Sequence, residues 1–309
     1  MTPVVSFQGV TKVYRRRFAG QEVPALTQVS FEVGAGEVCA FLGPNGAGKT
    51  TSINLLMGFH YPDWGEISVL GFKPGDVRAK QNIGFVPENF AFYKHLNAEK
   101  LLQFHLRLSG ADQAGSLGSI RDLIAKVRLC GYEKLKIGKY SRGMVQRLGI
   151  AQALIGDPQL LILDEPTSGL DPAGRMEVRN LIHDLKSAGK TIFLSSHMLS
   201  EVEQICDRAI IINRGRLVRS GSLHELLGAG DQMEIMADQL PPVLEPLLVE
   251  WKASFERLPN AVRIIVPSAH KRELVETLWA SGCDVVSMIS LRGSLEDLYM
   301  QLVGDGNSA

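Results

Sequence analysis

The sequence predicts an α/β fold over most of its length, followed by a small α+β domain. A buried strand at 37–42, a glycine-rich stretch at 43–48 and a helix at 49–58 follow one another directly. Short apolar strands then alternate with helices as far as residue 228, which is typical of α/β architecture. After the glycines at 228 and 230 this rhythm changes, so we predict one domain at 1–230 and a second at 231–309.

The first thirty-five residues show strand-like alternation of apolar and polar side chains. The segments 4–7, 10–14 and 25–33 are rich in valine, phenylalanine and threonine. Such segments favour strands. We therefore expect a small antiparallel sheet, an antiparallel β-subdomain, at the N-terminus.

A helical block at about 89–156 interrupts the α/β alternation. Asn97 can cap a helix that carries Leu101, Leu102 and Leu106, and Ser119 can cap a second helix. The small residues at 110–118 separate the two. Because strands and helices alternate again afterwards, we expect this block to be a helical insertion in the larger domain.

The last 79 residues have the pattern of a separate module. Segments at 233–236, 262–266 and 285–289 favour strands, and segments at 271–280 and 294–303 favour helices. We predict an α+β domain here, a size within the usual range of small domains.

Composition narrows the classes of partner and compartment. The chain has 33 basic and 33 acidic side chains and no net charge, so nothing in it indicates a nucleic-acid partner. The four cysteines lack the spacing of a disulfide framework or zinc site, which favours a reducing cytosol. The strongest apolar runs are far shorter than the roughly 20 residues of a membrane span, and the first residues do not resemble a signal peptide. We expect any membrane-spanning part to be supplied by another polypeptide.

The glycine-rich stretch carries the first functional motif. It fits G-x-x-x-x-G-K-[ST], in which backbone N–H groups at a helix N-terminus hold the phosphates of a nucleoside triphosphate. The predicted nucleotide-binding residues in this loop are Gly43, Pro44, Asn45, Gly46, Ala47, Gly48, Lys49, Thr50 and Thr51.

A second motif supplies acids for that site. The apolar run 160–163 ends in Asp164 and Glu165, the Walker B pattern. We expect Asp164 to hold Mg²⁺ together with the hydroxyl of Thr50. Since neighbouring strand residues point to opposite sides, Glu165 is free for another task, and we assign it the general base that activates water.

Five further stretches resemble motifs of ABC-type ATPases, the nucleotide-binding subunits of ABC transporters. The stretch 140–147, Tyr-Ser-Arg-Gly-Met-Val-Gln-Arg, resembles the signature motif, and 168–171 resembles the D-loop. His197 follows a predicted strand at the place of the switch histidine, Glu88 occupies the Q-loop place, and Tyr14 stands where the family stacks an aromatic ring on adenine. The motifs occur in the family's order and cover residues 4 to about 228.

The resemblance implies a P-loop NTPase fold with a RecA-like core, and an ATPase that hydrolyses ATP with Mg²⁺. In this family two copies form a head-to-tail dimer, and the signature motif of one copy closes over the ATP of the other. The resemblance therefore places Lys49, Glu165 and His197 in the catalytic group. It adds nucleotide contacts at Tyr14, Glu88, Ser141, Arg142, Gly143 and Asp171.

The family also implies how the ATP is used. Its members power transport through a separate transmembrane permease, so the chain is expected in the cytoplasm, held at the inner face of the cell membrane through that permease. The signature form Tyr-Ser-Arg-Gly-Met is similar to that of export systems. The stretch 294–299, Ser-Leu-Glu-Asp-Leu-Tyr, resembles the end of an extension carried by export-type members, and this extension either supports the dimer or is a passive appendage.

Several positions depart from the family pattern or fit a second role. Glutamine is usual where Glu88 stands; a carboxylate there can ligate Mg²⁺ or water, or lie in solvent. Arg142 replaces a glycine and either adds positive charge at the opposite γ-phosphate or faces solvent. Tyr14 can be an ordinary strand aromatic. Two other functions stay open: a non-transport ABC ATPase, and a nucleotide-responsive interaction module without turnover.

Overall fold

The computed structural model describes residues 2–15, 22–110, 116–228, 232–291 and 293–304. The chain divides into two compact units, Met1–Ser222 and Leu223–Ala309. This division falls before the predicted boundary at 230 because the short helix at Leu223–Leu227 contacts the last helix of the chain. Within the described ranges, no helix combines the length and apolar character needed to cross a lipid bilayer.

The first unit contains two sheets. The strands are β1 Val5–Arg15, β2 Glu22–Val33, β3 Val38–Leu42, β4 Trp64–Val69, β5 Ile83–Val86, β6 Leu160–Asp164, β7 Thr191–Ser196, β8 Arg208–Asn213 and β9 Arg216–Ser222. An antiparallel sheet has the order β2-β1-β4, and a six-stranded sheet has the order β5-β6-β7-β3-β8-β9. In the larger sheet all pairs are parallel except β8 with β9.

The helices of the first unit are α1 Lys49–Leu56, α2 Val77–Lys80, α3 Ala98–Leu108, α4 Ser116–Lys126, α5 Arg142–Ala153, α6 Pro172–Ser187 and α7 Leu199–Ile205. A 3₁₀ turn at Ile137–Lys139 precedes α5. Asn97 caps α3 as predicted, accepting from the backbone N–H of Lys100. Ser119 is not a cap, because α4 already begins at Ser116.

Aromatic packing joins the two sheets. Phe7 stacks on Phe31 at 4.4 Å between ring centroids, and Phe31 lies 6.1 Å from Phe193 of the larger sheet. These rings belong to one buried cluster that also contains Ile53 and Leu56 of α1. Burial of this apolar surface holds the phosphate-loop strand and helix in position.

The second unit has a ferredoxin-like topology. Its elements are α8 Leu223–Leu227, β10 Gln232–Ala237, α9 Leu244–Glu250, β11 Ser254–Leu258, β12 Ala261–Pro267, α10 Lys271–Ala280, β13 Val285–Leu291 and α11 Leu295–Gly304. The order β11-β12-β10-β13, with every pair antiparallel, is that of a β-α-β-β-α-β unit. Its core includes Leu244, Leu248, Leu274 and Leu278 from helices α9 and α10.

Candidate nucleotide-binding site

The phosphate loop connects β3 to α1 and depends on glycine at two close contacts. A Cβ added at Gly43 would lie 2.9 Å from the Cβ of Ala47 and closer still to the carbonyl oxygen of Ile212. Gly48 has φ +110°, and a Cβ there would lie 2.7 Å from Leu26. At Gly43 only glycine fits the space, and at Gly48 only glycine fits both the space and the backbone angle. The loop therefore turns tightly and leaves the first N–H groups of α1 without helical partners.

One cavity of the first unit gathers the loop together with the predicted acids and histidine. Its lining consists of Ala25, Pro44, Asn45, Gly46, Gly48, Lys49, Thr50, Thr51, Glu88, Asp164, Glu165 and His197. The side chains come from α1, from the end of β6, and from the segments that follow β5 and β7. The carboxyl ends of parallel strands meet at this edge, which is where α/β sheets bind ligands.

Lys49 is almost completely buried, with 8% of its surface exposed. Its Nζ donates a hydrogen bond to the carbonyl oxygen of Gly43 at 2.6 Å and lies 3.7 Å from Oε1 of Glu165. Because water screens a buried charge poorly, this ammonium group attracts phosphate more strongly than a surface lysine would.

Asp164 ends β6 in a crowded, buried place. Its Oδ1 accepts a hydrogen bond from Oγ of Ser195 on the neighbouring strand β7. Burial raises the pKa of the Asp164 carboxyl, the Ser195 hydrogen bond acts in the opposite direction, and the charges of Glu165 and Glu88 raise the pKa further. The surroundings thus disfavour the negative charge of the Asp164 carboxylate, as expected of a group that binds a cation.

Glu165 adopts a backbone conformation that is rare for its residue type, with φ +49°. Its backbone N–H donates to Oγ of Ser195 at 2.9 Å. Its carboxylate lies 2.7 Å from Nδ1 of His197 on one side and near Lys49 on the other. Strained backbone conformations of this kind persist only where surrounding contacts enforce them, and they occur most often at functional sites.

Other predicted nucleotide contacts do not line this cavity. Tyr14 lies on β1, edge-on to His60 at 5.8 Å between ring centroids, and lines a separate surface groove. Ser141 caps α5 by accepting from the N–H of Met144, and Asp171 caps α6 by accepting from the N–H of Gly174. The structure therefore brings together the loop, Glu88, Asp164, Glu165 and His197, and leaves the signature and D-loop residues outside.

The signature and D-loop helices meet at their first turns. A Cβ added at Gly143 of α5 would lie 3.3 Å from Cα of Gly174 on α6. Two helix N-termini thus lie side by side, and both carry a partial positive charge. This pair of helix N-termini can bind an anion that is not held in the nucleotide cavity of the same unit.

The oxygen ligands in the cavity suit a hard divalent cation. Hydroxyl and carboxylate oxygens are available from Thr50, Asp164 and Glu88, and the raised pKa of Asp164 marks negative charge that a cation would relieve. In the described part of the chain, no group of three or more acidic, histidine or cysteine residues is close enough to hold a metal by itself. The set therefore fits Mg²⁺ that also takes ligands from phosphates, its usual mode of binding.

Comparison with known proteins identifies the family. Residues 26–168 match the family model described as ABC transporter. An ABC transporter ATP-binding protein of Synechocystis sp. is 39% identical over 312 residues, covering 96% of this chain and 84% of the relative. The chain belongs to the ABC transporter family of ATP-binding proteins. It is therefore an ABC transporter ATP-binding subunit, and the ABC-type ATPase predicted from the motifs is confirmed.

A second relative and a solved structure agree with this assignment. The Nod factor export ATP-binding protein I of Ralstonia nicotianae is 34% identical over 316 residues, covering 98% of this chain and 94% of the relative. A dimeric post-hydrolysis state of an ATP-binding cassette bound to ADP and Pi matches with a TM-score of 0.63 and 25% identity, covering 71% of this chain and 98% of that one. The predicted P-loop NTPase fold is confirmed, and the subunit binds ATP.

Beside Glu88 the ATP-binding subunit has an apolar groove. Its walls come from the segment after β5 and from helices α3 and α5, with Tyr93 and Phe104 more than half exposed. Phe90 is held against α5, since a Cβ added at Gly149 would lie 2.6 Å from its ring. Phe90 is therefore packed against α5, whereas Tyr93 is exposed at the groove.

Ser195 is the functional residue that sequence reasoning missed. Its hydroxyl accepts from the N–H of Glu165 and donates to the carboxylate of Asp164, so it fixes both acids of the site. The signal was present as a polar residue directly after the apolar run 192–194. Recognising it requires the register of β6 and β7, which pairs Asp164 with Ser195.

Proposed function

We propose that this ATP-binding subunit hydrolyses ATP with Mg²⁺ to power export through a separate transmembrane permease. The observation that carries the proposal is the convergence of Lys49, Glu165 and His197 at the phosphate loop. Export is supported by the signature form of residues 140–144 and by a relative whose name specifies export.

The contacts of the cavity support a division of labour. Lys49 gives up its hydrogen bond to Gly43 and binds the β- and γ-phosphates together with the loop amides. Thr50 and Asp164 would hold Mg²⁺, with Glu88 as a further oxygen ligand, and the ion would supply positive charge beside the phosphates. Glu165 accepts a proton from the attacking water, and His197, at 2.7 Å, orients that carboxylate and contacts the γ-phosphate.

A head-to-tail pair of copies accounts for the residues outside the cavity. Ser141, Arg142, Gly143 and Asp171 lie at two adjacent helix N-termini, where an anion is favoured. In the proposed dimer this face meets the γ-phosphate held by the partner subunit, with Ser141 and the backbone of Gly143 as its contacts. Tyr14 stacks on the adenine in this proposal, from its place on β1. Two nucleotides would then be enclosed between two copies of the first unit.

The apolar groove beside Glu88 is the proposed docking surface for the permease. It carries exposed apolar side chains next to a residue that lines the nucleotide cavity. A segment bound there could respond to changes at Glu88. In this proposal the subunit lies in the cytoplasm and is held at the inner face of the membrane by this docking. We propose residues 231–309 as a separate domain of the subunit.

The test is an ATPase assay of the purified chain, alone and with its permease in vesicles, paired with Glu165→Gln. We expect Mg²⁺-dependent hydrolysis, and a loss of at least about a thousandfold in kcat for Glu165→Gln, because the residue acts only on the reacting water. The variant should still bind ATP and dimerise. Asp157→Asn, a change at an exposed acid, serves as control. Undiminished turnover by Glu165→Gln would remove Glu165 from the role of base.

A further inference from the structure

The guanidinium group of Arg142 lies against Gly169 of the D-loop in the same subunit. A Cβ added at Gly169 would lie 2.5 Å from Cζ and 2.8 Å from Nη2 of Arg142. Gly169 also has φ +65°, in the left-handed region that favours glycine. The arginine therefore occupies the space that any side chain at position 169 would need. Neither role expected of Arg142 from the sequence included this contact.

The turn under Arg142 leads directly back to Glu165. The N–H of Ser168 donates to the carbonyl oxygen of Glu165 at 3.1 Å, and the N–H of Leu170 donates to the carbonyl of Thr167 at 3.3 Å. Nε of Arg175 donates to the carbonyl of Leu170 at 3.2 Å. Arg142 thus lies against Gly169 and Arg175 is hydrogen-bonded to Leu170, the next residue of the same short turn. The other end of that turn carries the proposed base.

Three features indicate that the contact between Arg142 and Gly169 is specific. The first turns of α5 and α6 touch through Gly143 and Gly174, so the two segments are packed closely. The planar guanidinium group can lie flat on a glycine backbone, which an ammonium group cannot do in the same way. Glu165 has a backbone strain that its surroundings must enforce, and the turn is part of those surroundings.

We propose that Arg142 is a positioning residue that couples the signature turn to Glu165 through the D-loop of its own subunit. Through this contact, a displacement of the signature turn changes the position of the turn 165–170, and with it the carboxylate of Glu165. The proposal rests on the proposed function, because it assumes that the signature turn meets the partner's nucleotide and that Glu165 activates water. It assigns Arg142 a role in its own subunit rather than direct contact with the partner's phosphate.

The first experiment measures the turn itself. In the nucleotide-free protein, Arg142→Ala should speed hydrogen exchange of the amides at 167–171, because the guanidinium group no longer covers the turn. Arg121→Ala, a change at an exposed arginine of α4, is the matched control and should leave these amides unchanged. Unchanged exchange in Arg142→Ala would overturn the inference whatever the activity of the protein.

The second experiment separates positioning from phosphate contact. Arg142→Ala should lower kcat about tenfold with little change in KM, as a displaced catalytic group does. In the Glu165→Gln protein, adding Arg142→Ala should change the ATP concentration for half-maximal dimerisation by less than about threefold. A rise of tenfold or more there would show that Arg142 binds the partner's phosphate, which would overturn the inference.

A double-mutant cycle tests the named contact. Gly169→Ala introduces a Cβ where Arg142 lies, and it also carries backbone strain that is the same with or without the arginine. If the two residues act as a unit, the kcat of Arg142→Ala/Gly169→Ala should lie within about twofold of the worse single variant. Losses that multiply would overturn the inference, and so would full activity of Arg142→Lys. Absence of hydrolysis by the unmodified chain would instead refute the proposed function itself.

Discussion

The two units of this protein differ in whether they bury polar side chains. In the described part of the chain, each buried polar or charged side chain belongs to the first unit, Lys49, Asp164 and Ser195 among them. The second unit keeps its ion pairs at the surface or on the open face of its sheet, as with Arg263 and Glu234. Its buried core consists of apolar residues. A reactive site needs desolvated charge, whereas a packed module does not.

The contrast between the units shows where stability and function are opposed. In the first unit, burial works against the charge of Asp164, and Glu165 has an uncommon backbone angle. These are costs that apolar packing around the phosphate loop must offset, and they are kept because the chemistry requires them. In the second unit, substitutions should act through packing alone. Substitutions in both units can therefore test the contrast.

Lys49→Ala should have the strongest effect on activity. Removing the buried ammonium group should lower ATP hydrolysis at least about a thousandfold, because a desolvated charge at the phosphates is lost. Lys190→Ala is a matched control, since Lys190 is also mostly buried and pairs with Asp157 away from the cavity. Steady-state ATPase rates of both variants check this. Equal losses of ATPase activity in the two variants would mean that any buried lysine of the first unit matters equally. That result would contradict the contrast between a reactive site and ordinary packing.

An intermediate effect is expected in the second unit from Leu278→Ala. The leucine is fully buried in the core on α10, so its truncation should cost about 2–5 kcal/mol of stability. The affinity of the protein for ATP should stay the same. Denaturant unfolding and nucleotide titration measure the two quantities. Val249→Ala, at a position 77% exposed, should change neither of them.

The sequence predicts best those residues of the nucleotide-binding site whose positions depend on local backbone geometry. A loop of glycines between a strand and a helix is specified within about fifteen residues, so Gly43 to Thr51 are found directly. Asn97 is recognised as a helix cap for the same reason. Here the side chain satisfies its own neighbouring backbone, and no distant residue is needed.

What sequence does not predict depends on partners far along the chain. Ser195 acquires its role from the pairing of β6 with β7, and Arg142 acquires its contact from the packing of α5 against α6. The N-terminal segments 4–7 and 10–14 were predicted as separate strands, but they form one strand, β1, with an irregularity beyond Phe7 near Gly9. The third strand of that sheet is β4, which comes after the phosphate-loop helix. Long-range pairing of this kind leaves little local signal.

Asp164→Asn should have the weakest effect on stability, and it tests the opposition between function and stability in the first unit. Because the folded protein raises the pKa of Asp164 above its ordinary value of 3.8, the charged form is disfavoured in the native state. Asp164 therefore weakens stability as pH rises from the ordinary value through the raised one, and the full cost is present at higher pH. An asparagine keeps an oxygen for the Ser195 hydroxyl and removes the charge.

At neutral pH the nucleotide-free Asp164→Asn protein should have a higher Tm than the unmodified protein, by less than the fall expected for Leu278→Ala. The difference in Tm should shrink as the pH is lowered toward the ordinary value of 3.8, since the unmodified carboxyl takes up its proton in the folded state at a higher pH than in the unfolded state. Hydrolysis should fall at the same time, because a ligand for Mg²⁺ is lost. Asp157→Asn, at an exposed acid, should show no such rise. A lower Tm for Asp164→Asn at neutral pH would mean that the carboxylate stabilises the empty site, so that catalysis and folding favour the same charge there.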